Sequence, residues 1–87
     1  MDDYKNKLIE QIAEQLSNLE KSLMNGAYQL RDRSIKEIMR LVNHLYEVSP
    51  GDKLTMHLLR ESSKLKKTKN AANFSRLFNM IKGGNNR

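Results

Sequence analysis

The chain reads as an all-α protein, a small four-helix bundle, and three features of its sequence say so. Apolar residues recur at helical spacings of three and four in four separate stretches, and none shows the strict alternation of a half-buried strand. The strong breakers, Asn25-Gly26, Ser49-Pro50-Gly51-Asp52, Thr68-Lys69-Asn70 and Gly83-Gly84, fall between or after those stretches.

In the first stretch, residues 2 to 24, Ile9, Ile12, Leu16, Leu19 and Leu23 follow one another at 3, 4, 3, 4 and so keep one seam on one side of a helix. Tyr4 and Leu8 widen it. Asp2 and Asp3 place negative charge at the helix N-terminus, where the backbone dipole favours it, and Asn25-Gly26 is a left-handed stop. The second stretch runs to about Val48. Its Ile35, Ile38, Met39, Leu41, Val42, Leu45, Tyr46 and Val48 cover about half the circumference, as expected of a central helix with several neighbours. Its start reads two ways: Ser34-Ile35-Lys36-Glu37 matches a capping box, while Ala27 to Arg33 fits an earlier part of the same helix.

Ser49-Pro50-Gly51-Asp52 predicts the next start, with Ser49 as cap, Pro50 at the first helical position and Asp52 reaching back. The third helix extends to about Lys67, with Leu54, Leu58 and Leu65 on one side and Leu59 toward its margin. A fourth runs from about Ala71 to Lys82, with Ala71, Phe74, Leu77, Phe78 and Ile81 on one side, and Gly83-Gly84 ends it. The expected architecture is an antiparallel hairpin of two longer N-terminal helices carrying two shorter C-terminal ones. It forms one domain over residues 1–84, with 85–87 as a frayed tail.

At 87 residues, 38% apolar and with five aromatic side chains and no Trp, the chain has little with which to build a core. The heptad seam of the first helix therefore predicts a homodimer joined through Ile9, Ile12, Leu16, Leu19 and Leu23. The lack of Cys excludes disulfides and thiolate metal sites. Met1-Asp2-Asp3 carries no basic leader and no apolar run reaches membrane-spanning length, so an intracellular protein of cytoplasm, nucleoid or nucleus is expected, with no membrane partner.

Charge is the most informative pattern. Residues 1–52 hold seven Lys/Arg against nine Asp/Glu, a balance of −2, whereas residues 53–87 hold nine against the single Glu61, a balance of +8. Lys53, His57, Arg60, Lys64 and Lys67 follow at 4, 3, 4, 3 and fall within about 80° of one another at 100° per residue, opposite the leucines. That stripe is about 21 Å long, enough to pass several phosphates of a duplex strand. An ordinary solvated face would more often mix signs, because like charges at these spacings repel. Lys66 and Lys69 add to the field, and Asn73 and Arg76 on the fourth helix, with Asn79 and Lys82, are types suited to base edges.

Two short helices in tandem also resemble the layout of a helix-turn-helix, although the link from Lys66 to Asn70 lacks Gly. The expectation is a non-catalytic nucleic-acid-binding accessory or regulatory protein that prefers DNA to RNA. The alternative is a helical interaction module that docks an acidic or helical protein partner.

Enzyme chemistry finds no support, and no cofactor is expected. His44 and His57 lie on different helices, the single His44/Glu47 pair falls short of a carboxylate-bundle metal site, and Gly83-Gly84 lacks the flanks of a phosphate loop. Phe74 and Phe78, four apart among Leu77 and Ile81, read as core and not as stacking platforms for bases, and Met39 and Met80 read as gap fillers. A basic amphipathic helix lying on a membrane fits poorly, because residues 53–67 lack an aromatic anchor.

Overall fold

The computed structural model describes residues 2–68 and 71–85. Four helices follow in order: α1 (Asp2–Asn25), α2 (Tyr28–Val48), α3 (Lys53–Thr68) and α4 (Ala72–Asn85). There is no strand among the described residues. The radius of gyration is 12.3 Å, against about 12 Å for a compact chain of this length. The long axis of 37 Å is about that of α1 alone, at 1.5 Å per residue.

Local chemistry explains each reversal. At the end of α1, Gly26 takes φ 68 and the Ala27 N–H donates to the Ser22 carbonyl at 3.0 Å. That bond, from the residue after the glycine back to the third from the cap, is a Schellman stop. The Arg31 N–H already donates to the Ala27 carbonyl at 3.0 Å, so two residues turn the chain and α2 must run back antiparallel to α1. The capping box expected at Ser34 does not form. Ser34 is mid-helix and 1% exposed, its Oγ has no hydrogen-bond partner among the described residues, and Glu37 pairs forward with Arg40. The spacing matched, but Ser34 faces the core and α2 starts six residues earlier.

Past α2 the Ser49 N–H donates to the Leu45 carbonyl at 3.0 Å, and the Asp52 N–H to the Ser49 carbonyl at 3.3 Å. Gly51 sits between at φ 112. Asp52, not Ser49, caps α3: its carboxylate accepts the Leu54 N–H at 3.2 Å and the Thr55 hydroxyl at 2.8 Å. The helix thus begins at Lys53, and Pro50 belongs to the turn. At the other end α4 continues through Gly83 and Gly84 to Asn85, where the sequence predicted a stop and a frayed residue. Glycine weakens a helix by about 1 kcal/mol but does not forbid it, and no left-handed glycine occurs there.

One hydrophobic cluster joins all four helices. It holds Leu8, Ile9, Ile12, Leu16 and Leu19 of α1, five residues of α2 from Ile35 to Leu45, Leu58 and Leu65 of α3, and Phe74, Phe78 and Ile81 of α4. The two phenylalanine rings stack in parallel with centroids 6.3 Å apart. Four of the five residues expected at a homodimer contact, Ile9, Ile12, Leu16 and Leu19, are therefore buried inside their own chain, and Leu23 is 42% exposed. The seam periodicity was read correctly, but its partner is this chain's own core. Tyr4, expected to widen the seam, points out to solvent at 51% exposure.

Candidate nucleic-acid interface

The register of α3 follows from its buried side. Thr55, Leu58, Ser62 and Leu65 are all enclosed, and the small Ser62 tucks its hydroxyl onto the Leu59 carbonyl at 2.7 Å. With that side inward, helical geometry turns the opposite side outward. Lys53, His57, Arg60, Lys64 and Lys67 are all exposed, and they form the ridge that the spacing predicts.

Glu61 is the one acid on this helix, and its carboxylate lies 3.1 Å from the Lys64 ammonium. That pair is local, between neighbouring turns, and its Lys64 end is largely in water, so it trims the positive field without cancelling it. Lys66 and Lys67 have a second reason to be where they are. They occupy the last turn of α3, where the helix dipole favours cations. Lys53 has no such reason, because it stands at the positive end of the dipole with no acid inside the first turn.

Not every expected residue joins the ridge. Lys66 turns toward α2, where it lines a cleft of about 410 Å³ with Asp32, Ile35, Lys36 and Met39. Lys69 lies outside the described residues. Asn73 and Arg76 are exposed on α4, but Asn79 and Lys82 diverge from them and line a separate cleft against Leu16 and Glu20 of α1. Of the polar set of α4, Asn79 and Lys82 border α1 while Asn73 and Arg76 do not line that cleft.

Lys36 was missed as a companion of Lys66. In sequence it is one more polar residue of α2; only the antiparallel pairing of α2 with α3 brings the two side by side.

Two local ion pairs lie on α2. The Arg40 guanidinium donates to Glu37 at 2.8 Å and holds that carboxyl below its ordinary value of 4.5, while Arg40 itself is pushed up by the same bond. Arg31 reaches Asp32 at 3.2 Å and lies over the Tyr28 ring at 4.8 Å. No group of three or more His, Asp or Glu side chains suited to a metal ion occurs among the described residues. No helix among them is long and apolar enough to cross a membrane. Comparison with protein-family models, with curated proteins and with solved structures finds no match.

Proposed function

We propose that this chain is a non-catalytic nucleic-acid-binding accessory protein that lays the outer face of α3 along a phosphate backbone, with duplex DNA preferred to RNA. One observation carries the reading: five basic residues share the solvent side of one helix over its whole length, with a single acid beside them. Lys53, Arg60, Lys64 and Lys67 hold phosphates as point charges or forks, and His57 adds a ring N–H donor. Asn73 and Arg76 supply further contacts from α4. Backbone contacts of this kind position a protein without reading sequence.

Counterion release makes the reading measurable. With about four phosphates neutralised, raising salt from 50 to 200 mM weakens binding on the order of 100-fold. Fluorescence anisotropy on a random duplex, a hairpin RNA and heparin at those two salt concentrations is the test. Replacing Arg60 and Lys67 by Glu is expected to abolish duplex binding while helicity stays unchanged. A flat salt response, or a double variant that binds as before, overturns the proposal.

A further inference from the structure

The cleft between α2 and α3 combines two chemistries that the outer ridge does not. Its α2 side is lined by Asp32, Ile35, Lys36 and Met39, and Lys66 reaches in from α3. The four α2 residues fall on successive turns of one helix flank, which makes that side about 10 Å long. Ile35 is 3% exposed and part of the core, and Met39 packs against the same core, so the two give the cleft an apolar floor. The cations beside it are uncommitted. Neither the Lys36 nor the Lys66 ammonium forms an ion pair among the described residues, whereas the carboxylate of Asp32 is offset by Arg31 at 3.2 Å. Two helices thus bring two unpaired lysines to one apolar hollow of about 410 Å³, a size within the range of small-molecule sites, about 300–1,000 Å³.

We propose that this cleft binds a small amphipathic anion, an alkyl or aryl carboxylate of about ten non-hydrogen atoms, with its apolar body on Ile35 and Met39 and its head between Lys36 and Lys66. Shape and charge together select that class. A phosphate backbone has no apolar group to set against Ile35 and Met39. A partner helix finds no continuous apolar stripe, because the crest of α2 beside the cleft is polar, with Gln29 and Arg33 next to Asp32 and Lys36. A neutral or cationic apolar molecule fills the hollow but gives the two lysines no acceptor. The inference does not depend on the nucleic-acid reading, since Lys53, Arg60, Lys64 and Lys67 do not line the cleft.

The test titrates the full chain with octanoate, 2-naphthoate, octanol, octylammonium and inorganic phosphate. Methionine methyl resonances report the site, with Met39 in the cleft and Met56 and Met80 as exposed controls elsewhere. At least one of the two carboxylates is expected to bind at about 1 mM or tighter and to move Met39 alone, and the tighter of the two tells a chain from a ring. Octanol is expected to bind at least about tenfold more weakly than octanoate, and octylammonium and phosphate more weakly still. A Lys36→Gln, Lys66→Gln double variant is expected to lose at least about tenfold in carboxylate affinity with unchanged helicity and an unchanged response to octanol. The charge-matched Lys7→Gln, Lys21→Gln pair, on the exposed side of α1, is expected to lose nothing. Absence of carboxylate binding, equal binding of octanoate with octanol or phosphate, shifts at Met56 or Met80 in place of Met39, or equal losses in the two double variants overturns the proposal.

Discussion

Asp52 shows how much of this fold rests on single polar atoms. Its carboxylate satisfies the Leu54 N–H and also the hydroxyl of Thr55, which is fully buried. Asp52→Ala thus removes a cap and orphans a buried donor, and urea unfolding is expected to show a loss of about 1–2 kcal/mol. The sequence marked Asp52 as a capping residue but pointed it backward to Ser49, because spacing alone does not say on which side of a turn a carboxylate acts. Of the two starts that the sequence left open for α2, the structure bears out the earlier one, with Ser34 enclosed inside the helix. Glu37 gives the pH counterpart. Its carboxyl titrates below 4.5 because Arg40 bonds the ionised form, so whatever the pair contributes is present above 4.5 and fades as pH falls through the lower folded value. The pair is exposed and its contribution small, so the readout is the residue itself. An NMR titration should place the Glu37 midpoint below 4.5 and return it there in Arg40→Ala; a midpoint at or above 4.5 in the unaltered chain contradicts the pairing.

At the scale of elements, all four helices were legible because each has a periodic apolar stripe, and breakers separate one from the next. Their ends were less so. The α1 stop was read correctly since glycine takes the left-handed conformation of a helix stop at little cost, and the structure finds Gly26 at φ 68 with open space around the position of a Cβ. A methyl there meets no neighbour, so Gly26→Ala isolates the backbone term: a loss of about 1 kcal/mol from the left-handed conformation alone, readable as a lower melting temperature with unchanged helicity. No loss would mean that the Schellman bond from Ala27 to Ser22 does not hold the α1–α2 reversal. The seam of α1 shows where periodicity stops informing. Residues 3, 4, 3, 4 apart announce that a helix has a partner, and they are silent on whether that partner is another chain or the next helix. Here Ile12 and Leu19 are fully enclosed by the chain itself.

For the whole molecule the decisive property is the separation of charge between a −2 half and a +8 half. The ridge of α3 was legible because composition and helical spacing are both written in the chain, whereas the cleft between α2 and α3 was not, because it needs Lys36 and Lys66 from helices that only the fold brings together. The same asymmetry sets two opposed responses to salt. Along α3, Arg60 faces Lys64 and Lys64 faces Lys67 at neighbouring turns, and each like-charged pair opposes folding by a few tenths of a kcal/mol. Screening relieves that repulsion, while the Lys64–Glu61 contact at 3.1 Å, which screening weakens, offsets part of the gain. Raising sodium chloride from 50 to 500 mM is therefore expected to raise the melting temperature by about 2–4 °C, over a range in which affinity for duplex DNA falls steeply. A solvated, sign-balanced surface would show neither trend. If the melting temperature drops with salt, attraction between the two halves outweighs repulsion within the basic one, and the cations of α3 are held by the fold instead of being presented to a polyanion.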